Sequence, residues 1–266
     1  MDGEMTKKQP KLRVRNLWKR YGAMEVLKGL DLDVYEGETV VILGRSGVGK
    51  SVLLKQIMGI EFPEKGTIEL DGIDILTQPR REQQKAYMQM GMLFQGAALF
   101  DSMNVLENTS FYLNQNGDPR KEGQITKEEI RQRAEEALKM VDLEGTEKKM
   151  PSDLSGGMKK RAGLARSIVY APHVMLFDEP TTGLDPITAM QINKLIKKTQ
   201  RELKATSIVV THDIRSALEV GDRLALHHDG KIRHIATKEE FFFIDDPVIQ
   251  TFIQNAEVSK SMSGGH

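Results

Sequence analysis

Short apolar runs alternate with amphipathic stretches along most of this chain. From residue 11 to 80 the pattern predicts strands. "KLRVRNLWKRY" and "LKGLDLDVYEGE" alternate, "TVVILG" is continuously apolar, and "EKGTIELDGIDI" has the glycine-bounded form of a hairpin. A glycine-rich turn after "TVVILG" leads into the helical spacing of "KSVLLKQIMGI". Residues 104–150 change character: "VLENTSFYL" and "KEEIRQRAEEALKMVDL" predict helices, and the polar "NQNGDPRKEGQ" between them predicts a surface loop. Strand–helix alternation then returns. A helix opening in "DLSGGMKKRAGLAR" is followed by strand "HVMLFDE", helix "DPITAMQINKLIKKTQREL", strand "TSIVVTHD", helix "IRSALEVG" and strand "RLALHHDGKIRHIA". This order predicts an α/β fold with a mostly parallel core sheet covered on both faces and a helical subdomain inserted into it.

Composition changes this picture little. The 266 residues allow one large domain or two small ones, and 39% hydrophobic with 29% charged residues is an ordinary globular balance. Lys+Arg and Asp+Glu both number 38, so no global basic excess points to nucleic acid. Cysteine is absent, which excludes disulfides and thiolate metal sites and fits a reducing compartment. The longest apolar runs, such as "VVIL" and "VMLF", are far short of a membrane span, and "MDGEMTKKQPKLR" lacks the apolar stretch of a signal peptide. Membrane contact is therefore expected only through another chain. The polar ends, residues 1–10 and "VSKSMSGGH", are expected to be loose, with His266 at the very end.

Chemistry concentrates at three places. "GRSGVGKS" (44–51) is a P-loop pattern between a predicted strand and a predicted helix. Its glycines let backbone N–H groups turn inward on a polyphosphate, the helix start adds its dipole, Lys50 supplies charge and Ser51 a hydroxyl for Mg²⁺. "VMLFDEP" (174–180) ends an apolar strand on two carboxylates. Asp178 would approach the same Mg²⁺, and Glu179 would orient or deprotonate an attacking water. The alternative is a helix start whose acids merely favour the dipole. "DLSGGM" is a second anion cradle, in which Ser155, Gly156 and Gly157 expose free N–H groups at a helix N-terminus; Ser155 is equally a good N-cap.

In this order the P-loop, "LSGGM" (154–158), "LFDEP" (176–180), "GLDP" (183–186) and "THD" (211–213) resemble the ATPase subunit of an ABC transporter, over about residues 12–240. The resemblance implies the P-loop NTPase (ABC ATPase) fold, with an antiparallel β subdomain beside the core sheet. It implies ATP and Mg²⁺, and a second copy paired head to tail, whose ATP is closed over by Ser155, Gly156 and Gly157. Nucleotide contacts are then expected from Tyr21 (stacking on adenine, with Trp18 as a nearby competitor), Gly44, Arg45, Ser46, Gly47, Val48, Gly49, Lys50, Ser51, Val52, Gln95 and Asp185. Asp185 matches the loop that crosses the dimer interface. The metal set is Ser51, Gln95 and Asp178; the catalytic set is Lys50, Glu179 and His212, the last at a strand's carboxyl end. His227 and His228 are expected to be structural. Phe241–Phe243 is read as packing at a helix start.

About a hundred residues separate Lys50 from Ser155, which leaves no room for the long coiled coil of chromosome- and repair-type relatives. "GRSGVGKSVLLK", "FQGAALFDSMNVLENTSFYL", "LSGGMKKRAGLARSI", "EPTTGLDPI" and "DDPVIQTFI" are similar to the MCE-associated (Mla/Mkl-type) lipid-transport ATPases. That likeness implies an integral membrane permease, an MCE-domain chain, in some systems a STAS-domain regulator, and a peripheral position on the cytoplasmic face of the inner membrane. A small-solute transporter ATPase and a non-transport signalling or cell-division ATPase are the rival expectations. The ATPase domain is placed at 11–245, with its helical subdomain at about 96–165 and a C-terminal extension at 246–266. Residues 96–108, with Leu99, Phe100 and Met103, are expected to form a groove for a permease helix or an internal core segment. "DDPVIQTFIQNAEV" is expected to dock on a neighbouring subunit or to cap its own domain.

Overall fold

Two sheets organise the computed structural model, which describes residues 9–121 and 123–254; the polar ends, with His266 and most of the expected extension, lie outside that range. In chain order the elements begin with β1 (Leu12–Tyr21), β2 (Met24–Val34), β3 (Thr39–Leu43), α1 (Lys50–Ile57), β4 (Lys65–Leu70), β5 (Ile73–Asp74), α2 (Arg80–Tyr87) and β6 (Met90–Leu93). The helices α3 (Val105–Asn116), α4 (Lys127–Met140) and α5 (Gly156–Ile168) follow, then β7 (Val174–Asp178), α6 (Pro186–Leu203), β8 (Thr206–Thr211) and α7 (Ile214–Val220). The chain continues through β9 (Arg223–His228), β10 (Lys231–Thr237) and α8 (Lys238–Phe241), and residues 247–254 are helical.

One sheet is antiparallel, in the order β2-β1-β4-β5. Leu12, Val14 and Leu17 of β1 are all buried although the last interval is three residues. The left-handed Asn16 (φ 48°) opens a register shift between Val14 and Leu17 and returns the apolar side chain to the core. The other sheet runs β10-β9-β3-β8-β7-β6, parallel from β9 to β6, with β10 antiparallel at the edge. Every residue of β3, β7 and β8 is buried, which is why their centres, "VVIL", "VMLF" and "IVV", are continuously apolar. Their side chains divide by alternation. Val41, Leu43, Phe177 and Val209 face a core shared with α3–α7, whereas Val40, Ile42, Leu176 and Ile208 face α1 and the antiparallel sheet. Each fully buried side chain of this kind stabilises the fold by about 1.5–3 kcal/mol.

The helical layer between β6 and β7 is set by its caps. Asn104 and Glu107 form a reciprocal capping box on α3, Thr126 caps α4, and Ser155 accepts from the Met158 N–H to cap α5. The polar loop between α3 and α4 is pinned by Asp118, whose buried carboxylate accepts from Arg133 at 2.8 Å and from Arg120 at 3.2 Å.

Several expectations need correction. "RLALHHDGKIRHIA" is a hairpin, not one strand: Asp229 (φ 48°) and Gly230 (φ 76°) turn the chain between β9 and β10. The Phe triplet lies at the end of a helix rather than its start; Phe241 closes α8 fully buried, and Phe243 is 87% exposed. The helix predicted to run to Ile60 stops at Ile57, because Gly59 turns left-handed (φ 71°). Elements α2 and β6 were not anticipated; α2 buries no residue and β6 is only four residues long. Asp246 ties the last helical stretch to β10 through Arg233 (2.7 Å) and His234 (2.8 Å), and Ile249 enters the chain's own core.

Candidate functional site

Strand β3 ends at the carboxyl edge of the core sheet, and residues 44–49 turn directly into α1. Gly49 adopts φ 106°, and a Cβ there would lie 2.5 Å from Val26 Cγ1, so only glycine fits. No side chain caps α1, which leaves its first N–H groups to face the turn. Lys50 folds back over the turn: its Nζ donates to the carbonyls of Gly44 (2.8 Å) and Arg45 (3.0 Å) and lies 3.4 Å from Glu179 Oε1. Burial lowers the Lys50 pKa, and the charges of Glu179 and Asp178 oppose that shift.

Asp178 closes β7, and its Oδ1 accepts from Ser51 Oγ at 2.6 Å. Burial raises its pKa, while the Ser51 hydrogen bond pulls the other way. A hydroxyl and a carboxylate oxygen so close together make a hard-donor pair of the kind Mg²⁺ uses alongside substrate phosphates. Among the described residues no group of three or more His, Asp or Glu side chains gathers as a metal cage. The donors present therefore fit a metal shared with a phosphate ligand.

Glu179 follows in a left-handed conformation (φ 46°) that directs its carboxylate back over the sheet edge. Three side chains hold it. Oε1 faces Lys50, and Oε2 accepts from Thr182 Oγ1 at 3.0 Å and meets His212 Nδ1 at 2.9 Å. His212 reaches this point because β8 lies between β3 and β7 in the sheet. Lys50, Ser51, Asp178, Glu179 and His212 thus converge from the ends of three adjacent parallel strands, where open α/β sheets bind ligands.

The remaining expected residues fall around this centre. Arg45, Ser46 and Gly47 are exposed, and Val48 and Val52 are half-buried. A cleft of about 1140 Å³ runs past Arg45, Ser46 and His212 toward Thr182 and Arg215. Tyr21, 43% exposed at the end of β1, donates its hydroxyl to Glu61. Trp18 is instead engaged within its own sheet, its Nε1 donating to Asn16 at 2.8 Å. Gln95 is an exposed residue just beyond β6. Ser155, Gly156 and Gly157 sit apart, at the start of α5. Gly156 and Gly157 pack against Leu184 and Thr188, and no hydrogen bond or ion pair among the described residues joins the three to residues 44–52. Asp185 caps α6 through the N–H groups of Ile187 (3.1 Å) and Thr188 (3.0 Å). Phe100 is stacked under the Arg166 guanidinium, 5.1 Å from the ring centre, and Leu99 packs on the helical core.

Two residues at the site escaped the sequence reading. Thr182 grips Glu179 directly. Lys160, a cation within the helix that opens at "DLSGGMKKRAGLAR", is 5% exposed and donates to the carbonyls of Gln95 and Glu179. The available signal was its position midway between Gly157 and Gly163, on a helix face that is otherwise small.

The ABC transporter family model matches residues 27–182. A probable ribonucleotide transport ATP-binding protein, mkl, of Mycobacterium leprae is 38% identical over 247 residues, covering 93% of this chain and 70% of that protein. The intermembrane phospholipid transport system ATP-binding protein MlaF of Haemophilus influenzae is 38% identical over 243 residues, covering 91% of this chain and 90% of MlaF. The dimeric ATP-binding cassette MJ0796 bound to ADP and Pi superposes with a TM-score of 0.76 at 34% identity, covering 85% of this chain and 98% of that one. With its nucleotide-type turn and its acidic strand end in one fold, this chain belongs to the ABC transporter family as an ATP-hydrolysing, ATP-binding subunit.

Proposed function

We propose that this subunit powers lipid transport, most specifically of phospholipid, through a separate membrane permease and an MCE-domain chain. The observation that carries the transport branch is the 38% identity to MlaF over nearly the full length of both chains. The name of the mkl relative supports a second reading, transport of a small solute.

The chemistry follows from the site. Lys50 and the N–H groups at the start of α1 bind the β- and γ-phosphates of ATP. Tyr21 stacks on the adenine. Ser51 and Asp178, with Gln95 as a third donor, would hold Mg²⁺, which neutralises phosphate charge when bound. Glu179 orients a water and takes its proton. His212, with Nδ1 turned to Glu179, offers Nε2 to the γ-phosphate. Ser155, Gly156, Gly157 and Asp185 serve the ATP of a second copy, paired head to tail. That assignment is supported by the lack, among the described residues, of any hydrogen bond or ion pair from Ser155, Gly156 or Gly157 to residues 44–52, and by the dimeric MJ0796 cassette. The surface at Phe100 and Met103 receives a permease helix on the cytoplasmic face of the inner membrane; no helix among the described residues is long and apolar enough to cross a membrane.

The test is mild-detergent purification of the Glu179→Gln variant from native membranes, with mass spectrometry of bound proteins and lipids. A permease and an MCE-domain chain with phospholipid enriched over the bulk membrane are expected. A solute-binding partner without lipid enrichment overturns the lipid branch.

A further inference from the structure

Helix α5 grips the Gln95 loop at three positions spaced three residues apart, on one face. Lys160 Nζ donates to the Gln95 carbonyl, and Arg166 Nη1 donates to the Ala98 carbonyl at 2.5 Å. Between them a Cβ on Gly163 would lie 3.0 Å from both the Cβ and the carbonyl oxygen of Ala97. The loop is bent where it is gripped. Ala97 and Ala98 hold φ of 61° and 51°, a conformation costing about 1–2 kcal/mol for an L-residue, so the surrounding contacts must sustain it.

From the same face, Lys160 Nζ reaches the carbonyl of Glu179 at 3.3 Å. Glu179 is itself left-handed, and its backbone is held on both sides. Its N–H donates to Val210 at 3.0 Å, and its carbonyl accepts from Lys160 and from the Thr182 N–H at 3.2 Å. The direction of its carboxylate depends on this backbone geometry. A lysine buried to 5% exposure is costly unless its donors are used. Here they are used on two loop carbonyls, with the charges of Asp178 and Glu179 nearby.

We propose that Lys160 is a positioning residue for ATP hydrolysis: its ammonium ties α5 and the Gln95 loop to the Glu179 backbone and so aims the Glu179 carboxylate. This rests on the reading of Glu179 as the group that takes the proton of water. It gives α5 two duties. Its N-terminus carries Ser155, Gly156 and Gly157, and one turn further on it braces this chain's own Glu179.

The experiment uses the full chain and compares Lys160→Met, Lys160→Arg and Glu179→Gln with the parent. Steady-state ATP hydrolysis, the thermal midpoint and amide exchange of the peptide spanning 178–183 are measured. Lys160→Met keeps the aliphatic stem and removes the donor; it is expected to lower kcat about ten- to a hundredfold with KM within threefold. Amide exchange is expected to rise at 178–183 and in the Gln95 loop, the two segments whose carbonyls Lys160 holds, and not elsewhere, and Lys160→Arg is expected to recover most of kcat. A Lys160→Met kcat within twofold of the parent overturns the proposal. So does a joint fall of kcat and thermal midpoint with exchange raised throughout and no recovery by arginine, which marks Lys160 as packing alone. Glu179→Gln separates the two readings. If it hydrolyses ATP near the parent rate, the Glu179 assignment falls. If it is inactive beside a fully active Lys160→Met, only the role of Lys160 falls.

Discussion

His212 Nδ1 stands 2.9 Å from Glu179 Oε2, where the adjacent strands β8 and β7 end. Thr182 shares that oxygen at 3.0 Å, so the carboxylate is fixed before any substrate phosphate is considered. If the ring acts on the reacting centre and not on the bulk of the nucleotide, as proposed, His212→Ala lowers kcat about a hundredfold or more while ATP affinity changes less than tenfold. Equilibrium nucleotide binding and steady-state hydrolysis check this. A hydrolysis rate within threefold of the parent removes His212 from the mechanism.

Tyr21 combines an exposed ring with a hydroxyl committed to Glu61; desolvation first, then that hydrogen bond, push its pKa up to about 12, so the phenol stays neutral at physiological pH. If the ring stacks on adenine, Tyr21→Ala weakens ATP binding by about 1–3 kcal/mol, whereas Tyr21→Phe keeps near-parent affinity. Calorimetric titration with a non-hydrolysable ATP analogue distinguishes them. Equal losses in both variants shift the role from the ring to the hydroxyl.

Gly163 lies where α5 and the Gln95 loop touch. A Cβ there would meet Ala97 Cβ, Ala97 O and Leu93 Cδ1, each at 3.0 Å, whereas at Gly96 a Cβ would meet nothing within 4 Å. Gly163→Val is therefore expected to cost about 1–3 kcal/mol of stability through overpacking, and Gly96→Ala to be nearly neutral. Urea unfolding of the two variants side by side gives the answer, and equal midpoints would show that the interface relaxes freely.

His227 is buried beside the 44–49 turn with neither ring nitrogen hydrogen-bonded, and its pKa is lowered from 6.5 to about 4 by desolvation first, then by the charges of Lys50 and His228. At pH 7 the imidazole is neutral in the folded chain and mostly neutral in the unfolded one. As pH falls through 6.5 the unfolded chain takes up a proton that the folded chain refuses until about pH 4. Stability is thus lost across that window, by roughly 3–4 kcal/mol at full extent. His227→Leu is expected to flatten the stability curve between those limits relative to the parent. Parallel pH profiles in denaturation experiments would refute the assignment.

Much of this protein was legible locally. The 44–51 turn announces itself because its conformation requires glycine at fixed places, as at Gly49, and the buried strands announce themselves because both faces of a parallel sheet demand apolar side chains. The cap of Ser155 on α5 and the carboxylates ending β7 are equally short-range features. Helix α2 left no such trace because it buries nothing, and β6 is too short to show a period. The Asp229–Gly230 turn carries the residues a tight hairpin needs, but strand-like alternation continues on both sides of it and masks the reversal.

Other features arise only when distant segments meet. The strand order β3-β8-β7 brings Lys50, Glu179 and His212 to one point, and nothing local to any of the three encodes that neighbourhood. Lys160 looks like solvated helix charge until the small face around Gly163 admits the Gln95 loop; the loop then buries the ammonium and supplies the carbonyl that satisfies it. His227 sits on an alternating strand like its neighbour His228, yet burial beside the 44–49 turn lowers its basicity. Short-range sterics and capping chemistry wrote the elements into the sequence, while burial and electrostatics, which depend on what packs nearby, assigned the charged side chains their environments.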